Sequence, residues 1–213
     1  PEYPRSVLEA LRQPLEDRTI SVTRASGRAI YPADFMLVAT MNPCPCGYYG
    51  DPEHECSCSL SQITSYQKRL SGPLLDRIDI IIPVTRIPND ELLKDSSSTN
   101  KQHLSAREQI KYTKEIQENR YKCSTKRNSS LSSSEIKKLI PLAPPVKQFL
   151  DNAATKLKLS TRGYFKIIRL ARTIADLEHS DTVEVPHVAE ALQYRQPTRK
   201  SVLYLLELTE SYR

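Results

Sequence analysis

The sequence predicts an α/β unit followed by an all-α unit, and three observations carry that expectation. Short alternating or continuous apolar runs of strand length occur only in the first part of the chain, at 19–37, 35–41 and 78–84. From residue 132 onward apolar residues recur almost throughout at helical spacing. Between the two lies a polar stretch, Asp95-Ser96-Ser97-Ser98-Thr99-Asn100, which reads as a flexible linker. Strands in one part and helices in the other argue for two units.

Taken in order, Val7, Leu8, Leu11 and Leu15 predict a helix over 4–17. Residues 19–24 and 28–37, separated by Ala25-Ser26-Gly27, predict a β-hairpin, because glycine permits the positive φ of a tight turn. Phe35-Met36-Leu37-Val38-Ala39-Thr40-Met41 reads as a strand buried on both faces of a parallel sheet. A cysteine-rich loop covers 43–58, and a helix follows over about 59–68. Pro73 opens a helical turn, and Ile78-Asp79-Ile80-Ile81-Ile82-Pro83-Val84 reads as a further strand that Pro83 ends or places at an edge. Residues 103–120 predict one amphipathic helix. Further helices are predicted at 132–140, 144–158, 161–178 and 186–194, with a tail helix over about 199–210. Pro186 suits a first helical turn, where its missing N–H is not needed. The expected division is 1–94, a connecting segment 95–130, and 131–213.

The chain has 213 residues and a net charge of +6. No apolar stretch approaches the roughly 20 residues that span a bilayer. The N-terminus lacks the basic-then-apolar order of a signal peptide, so no membrane contact and a cytoplasmic location are expected. Lys122, Lys126, Arg127, Lys137, Lys138, Lys156 and Lys158 make the second half basic. Such a surface attracts phosphate polymers, or it is ordinary solubility charge.

Cys44-Pro45-Cys46 and Cys56-Ser57-Cys58 form two C-x-C pairs separated by nine residues. Four thiolates from one loop suit a structural Zn²⁺. Two disulfides and four free thiols are the alternatives, and His54 is a weaker ligand candidate. Cys123 stands alone in a polar stretch as a free thiol.

Three strings are unusual enough to name a family: Met41-Asn42-Pro43-Cys44-Pro45-Cys46-Gly47-Tyr48-Tyr49-Gly50-Asp51, then Leu70-Ser71-Gly72-Pro73-Leu74-Leu75-Asp76-Arg77-Ile78-Asp79, then Ala171-Arg172-Thr173-Ile174-Ala175-Asp176-Leu177-Glu178 with Ala189-Glu190-Ala191-Leu192-Gln193-Tyr194-Arg195. In this order, after an opening Pro1-Glu2-Tyr3-Pro4-Arg5, they resemble the magnesium-chelatase-like AAA+ ATPases of bacteria, the YifB/ComM group. The resemblance runs from residue 1 to about 195. It implies the C-terminal part of a RecA-like AAA+ α/β domain followed by a helical lid. The Gly-rich phosphate loop and the acidic pair that such an ATPase needs are not in these residues, so the chain is expected to be the distal portion of a longer motor and inactive alone.

The resemblance assigns roles to three polar residues. Asn42, after the 35–41 run, becomes sensor 1, an amide that orients the attacking water or touches the γ-phosphate; an Asn that merely starts a turn before Pro43 is the plainer alternative. Arg77 becomes the arginine finger acting in trans on a neighbour's nucleotide, with Arg69 as the competing finger and an ion pair to Asp76 or Asp79 as the plain alternative. Arg162 becomes sensor 2 in the first turn of a lid helix that Ser160 caps, and a cation at that positive helix end is easier to understand if the end faces a phosphate. Arg169 and Arg172 are expected on an exposed or interface face.

The implied cofactors are ATP and Mg²⁺, and the implied partners are further copies in a ring, expected to be hexameric, and DNA. The function expected from the resemblance is a DNA-acting motor of the branch-migrating or helicase kind. A motor that remodels a protein partner, and a non-catalytic interaction module, are the competing classes. In such motors a hairpin ahead of sensor 1 tracks the DNA backbone, which would give Arg24 and Arg28 phosphate contacts. Otherwise the hairpin's arginines, Arg18 among them, guard an exposed edge.

Overall fold

The computed structural model describes residues 1–25, 27–84 and 97–195. Backbone contacts divide the chain into Pro1–Ile78 and Asp79–Arg213. The boundary expected at 94 and the predicted tail helix at 199–210 lie outside the described residues.

In the first unit the predicted 4–17 helix is two helices, α1 (Arg5–Ala10) and α2 (Arg12–Asp17). Pro14 explains the break: it has no N–H to donate to Ala10, so one continuous ladder cannot pass through it. Leu8 and Pro14 are buried, whereas Val7 is 49% exposed. Arg18 ends α2 at a left-handed φ of 54°. The predicted hairpin forms, with β1 (Thr19–Arg24) antiparallel to β2 (Gly27–Pro32) and Ile20 opposite Tyr31, but its second strand ends at Pro32, short of the expected 37. Gly27, at φ +138°, supplies the backbone that the tip requires.

The run expected as a parallel-sheet strand, 35–41, and the further strand expected at 78–84 are not strands. Met36 and Val38 are 87% and 81% exposed, and Ile82 and Val84 are 62% and 91% exposed. A parallel strand exists only by pairing with neighbours on the ladder. Among the described residues the two-stranded β1–β2 sheet is the only one, so these runs have apolar strand composition without a strand's partners. Helix α3 (Leu60–Gln67) follows the cysteine loop, opened by a reciprocal cap in which Ser59 and Gln62 satisfy each other's backbone N–H. Tyr66 is buried and its hydroxyl donates to Glu2 at 2.8 Å. Helix α4 (Gly72–Leu75) is one turn long, capped by Ser71, with Pro73 in its first turn.

The second unit is helical and has its own core. Helix α5 (Ser97–Tyr121) begins inside the stretch expected to be a linker, and Ser97–Asn100 forms its first turn. A 3-10 turn at Asn128–Ser130 precedes α6 (Ser133–Leu139), α7 (Pro144–Lys156), α8 (Thr161–Leu177) and α9 (Val185–Gln193). Each helix from α6 to α9 falls within about two residues of its predicted span. Leu131, Ile136, Phe149, Leu150, Ile167, Val188 and Leu192 form the dry centre. Together they remove a large apolar area from water, the main favourable term in folding.

Helix α5 joins this unit in a way its pattern does not predict. Its apolar Leu104 and Ile110 are 57% and 50% exposed, while the polar Thr113 and Gln117 are buried. The seam is a hydrogen-bonded network centred on Asp176 of α8, which is 1% exposed. Arg120 donates to both carboxylate oxygens, at 2.9 Å through Nη1 and also through Nη2. Arg172 donates through Nε at 3.0 Å and Asn128 through Nδ2 at 2.8 Å. Arg172, expected on an exposed or interface face, is therefore interior at 4% exposure. Its spacing of four residues before Asp176 is an ion-pair signal already visible in the sequence.

Candidate functional site

The segment from Asn42 to Ser59 builds the densest chemistry in the molecule. Gly47 donates to the Cys44 carbonyl at 3.1 Å, closing a tight turn over Cys44-Pro45-Cys46. Gly47 and Gly50 sit at φ +88° and +85°, conformations that residues with a side chain rarely adopt. The Asp51 carboxylate accepts from the amides of Glu53 and His54 at 2.8 and 3.0 Å and folds the chain back. The Tyr48 ring stacks on His54 at 5.0 Å.

These turns bring Cys44, Cys46, Cys56 and Cys58 together, with all four sulfurs within 4.8 Å of one another. Cys44 Sγ lies 3.3 Å from that of Cys46 and 3.7 Å from that of Cys56, and the Cys46–Cys56 separation is 3.5 Å. No pair is bonded as a disulfide. A tetrahedral cation holding thiolates at about 2.3 Å places its sulfurs about 3.7–3.8 Å apart, so the observed separations fit that coordination sphere. The Tyr48 amide, then the neighbouring thiols, lower Cys46 to about 5. At Cys56 the Cys58 amide favours the thiolate, but burial and the thiols of Cys46 and Cys44 overcome it and push the group up to about 12. Cys58 is raised by the same balance, with the Cys46 amide opposing burial and the sulfurs. The Cys46 thiolate forms readily, and Cys56 and Cys58 resist a further negative charge beside it, a repulsion that a bound dication removes.

Asn42 is exposed and lies two residues before the buried Cys44. The carbonyl of Pro43, between them, accepts from Gln67 Nε2 of α3 at 3.0 Å. The position of Asn42 is thus set from one side by the cysteine cluster and from the other by α3.

Arg77 follows α4 and its side chain is 11% exposed. Its Nε donates to the Arg12 carbonyl at 2.9 Å, Nη1 to the Pro73 carbonyl at 2.6 Å, and Nη2 pairs with Glu16 at 3.1 Å. Glu16 is a partner that the sequence did not suggest, its plain alternative for Arg77 having been Asp76 or Asp79. Arg69, the competing finger, reaches the Pro1 carbonyl at 3.3 Å.

In the second unit Ser160 caps α8 as predicted, its hydroxyl accepting from the Gly163 amide at 3.0 Å. Arg162 is exposed in the first turn. Two further cations were not singled out by sequence. The Arg195 guanidinium lies against Gly163, where an added Cβ would come within 3.4 Å of Nη2. Lys166, one turn on, pairs with Asp79 at 2.8 Å. Burial lowers the Lys166 pKa, with Arg195 and Arg169 adding to the effect against the Asp79 bond. The available signal was Gly163 itself: a glycine inside a helix costs about 1 kcal/mol relative to alanine and marks a close approach. Arg24 and Arg28 are exposed on the hairpin, and Arg28 Nε donates to Ser21 at 2.8 Å. Among the described residues no helix is long and apolar enough to cross a membrane.

Residues 1–92 match the profile of magnesium chelatase, subunit ChlI, and residues 99–195 match that of the ChlI C-terminal region. The chain is 41% identical over 199 residues to competence protein ComM of Haemophilus influenzae, covering 93% of this chain and 38% of that protein. It is 36% identical over 200 residues to the uncharacterized protein YifB of Escherichia coli, covering 92% of this chain and 37% of that protein. The chain therefore spans under two fifths of the length of these relatives. Matched along nearly its whole length by the two chelatase profiles and by both relatives, the chain belongs to the magnesium-chelatase-like family of AAA+-like proteins, in the group of ComM and YifB.

Proposed function

We propose that the chain is the sensor and lid portion of an ATP- and Mg²⁺-dependent AAA+ motor that assembles as a ring and acts on DNA. The observation that carries this reading is the gathering of cations at the N-terminal end of α8. Arg162 stands in the first turn, Arg195 lies against Gly163, and Lys166 follows one turn later. The helix end adds its own positive potential, and together these suit a polyphosphate. In this reading Asn42 serves as sensor 1, Arg162 as sensor 2, and Arg77 acts on the nucleotide of the adjoining copy. The domain arrangement is RecA-like α/β over 1–94 and lid over 131–213, joined by 95–130.

The DNA substrate is supported by the competence role in the name of the Haemophilus relative and by the arginines of the hairpin. The test is ATP turnover by the full-length protein with and without DNA. Single-stranded or branched DNA is expected to raise turnover several-fold, with the effect fading as salt rises. Turnover indifferent to DNA but raised by a protein partner would transfer the reading to a protein-remodelling motor.

The cysteine cluster is assigned to one structural Zn²⁺. Four protein sulfurs leave no open position for a catalytic water, so the metal braces the loop beside Asn42. The loop offers little else to order it, since between Gly47 and Glu55 it carries Asp51, Glu53, His54 and Glu55 and two exposed tyrosines. Protein purified without chelator is expected to carry one zinc per chain. Cys56→Ser is expected to lose it and to become sensitive to proteolysis within 43–58. Clearly less than stoichiometric zinc together with four titratable thiols rejects the site.

A further inference from the structure

A short strap of chain crosses the helical unit between α8 and α9. Asp79, the first residue of that unit, accepts from Lys166 Nζ of α8 through Oδ1 at 2.8 Å. Two residues later the Ile81 amide donates to the Tyr194 carbonyl, at the end of α9, also at 2.8 Å. The backbone bond fixes where the strap runs, and the carboxylate two residues before it is delivered to one ammonium group. Lys166 follows Arg162 by four residues and Gly163 by three, so the three positions share one face of α8. The Arg195 guanidinium lies against that face at Gly163, and Arg195 is 8% exposed. The Lys166 side chain is 12% exposed and that of Asp79 is 69% exposed. Burial lowers the Lys166 pKa, and the charges of Arg195 and Arg169 lower it further, whereas Asp79 raises it through both its hydrogen bond and its charge.

We propose that Asp79 is a positioning residue for the nucleotide: its ion pair holds the Lys166 ammonium on the Arg162 face of α8, where Lys166 and Arg162 bind the same polyphosphate. The inference deepens the ATP-motor reading and rests on it. The two kinds of cation on this face differ in what they need. A guanidinium stays charged in any surroundings, so Arg162 and Arg195 remain cations unaided. An ammonium group on a flexible stem gives up its proton readily when it is buried among like charges. Lys166 is in that position, and Asp79 both keeps the proton on it and fixes where the stem points. The pairing does not use up the lysine. An ammonium group has three donors, so one can stay on Asp79 while the others meet phosphate oxygens. A carboxylate placed directly on a phosphate would repel it, but one that acts through a lysine adds to the site.

The experiment measures the affinity of the full-length protein for ATP with Mg²⁺, by calorimetry, from neutral pH to about pH 10, the range that a lowered lysine crosses. Asp79→Asn keeps the size of the side chain and removes its charge. It is expected to weaken ATP binding about 2- to 5-fold at neutral pH, the scale of an ion pair with one exposed partner. Lys166 then lacks the group that raises its pKa, so the alkaline loss of affinity should begin at lower pH than in the parent. Asp79→Glu, which can keep the pair, should follow the parent curve. Lys166→Met is expected to weaken ATP binding and to flatten the alkaline limb, and adding Asp79→Asn to it should cost nothing more. Unchanged affinity in Asp79→Asn, a curve parallel to the parent's, an equal further loss in the Lys166→Met background, or tighter binding by Asp79→Asn would each overturn the positioning role. In all four cases the nucleotide reading stands as long as Arg162→Ala weakens ATP binding. If neither Arg162→Ala nor Lys166→Met changes ATP affinity, the phosphate-facing reading of α8 fails and this inference fails with it.

Discussion

Arg77→Ala in the full-length protein is expected to cut ATP turnover by roughly 10³-fold or more while leaving ATP binding close to that of the parent. The magnitude follows from what a guanidinium supplies to phosphoryl transfer: permanent charge and a rigid fork of donors on the oxygens where charge develops. Because the proposed action is in trans, the loss should be repaired by mixing. A ring that combines Arg77→Ala subunits with subunits whose own nucleotide site is disabled but whose Arg77 is intact contains complete sites at mixed interfaces, and some turnover should return. Arg77→Lys sharpens the test. A lysine can retain the ion pair to Glu16, but it cannot present the fork, so turnover should stay low with the fold preserved.

The contacts of Arg77 give the experiment a second possible outcome. In this structure the guanidinium binds the Arg12 and Pro73 carbonyls and Glu16, tying the segment after α4 to the α1–α2 corner. A neighbour's phosphate would have to compete with Glu16 for Nη2. Failure to recover turnover at any mixing ratio would leave Arg77 as that structural tie and pass the finger role to Arg69.

Asp176→Ala is expected to destabilise the helical unit by about 3–5 kcal/mol, the cost of breaking a buried ion pair from one side. The substitution takes the shared acceptor from the buried Arg172 guanidinium and Asn128 amide and from the part-buried Arg120 guanidinium. It also detaches α5, whose seam with α8 is polar. Burial by itself would raise the Asp176 pKa, but hydrogen bonds from Arg120 and Asn128 and the charge of Arg172 outweigh it and hold the group below the usual carboxylate range. A depressed folded-state pKa contributes stability in full above the unfolded value of about 3.9. That contribution fades as pH falls through the lower folded value. The gap between parent and Asp176→Ala, followed by urea unfolding, should therefore be wide at neutral pH and close in strong acid. A gap below about 1 kcal/mol at neutral pH would mean that the network behaves as a surface pair.

What could be read from the sequence depended on whether a local pattern was enough. The helices α6 to α9 were legible because an apolar stripe at helical spacing, a serine cap and a proline in the first turn all act within a few residues. The hairpin was legible for the same reason, through alternation and a glycine at the tip. The cysteine spacing marked the cluster, although only folding could bring Cys44 and Cys46 within reach of Cys56. The runs 35–41 and 78–84 failed as strands because strand composition is a property of the segment, whereas a strand is a property of the pair. Pro14 was visible and its effect on 4–17 went unused.

The sequence by itself determined the family, the helical second unit, the hairpin and the identity of the residues offered for metal and phosphate chemistry, since these follow from residue type, order and short-range spacing. The tertiary structure alone decided which partner each charge takes. It gave Arg77 the Glu16 carboxylate, closed Arg120 on Asp176 and laid Arg195 against Gly163. The physical reason is range: Glu16 and Arg77, Arg120 and Asp176, and Gly163 and Arg195 are brought together from distant parts of the chain, and no local window of sequence contains both partners.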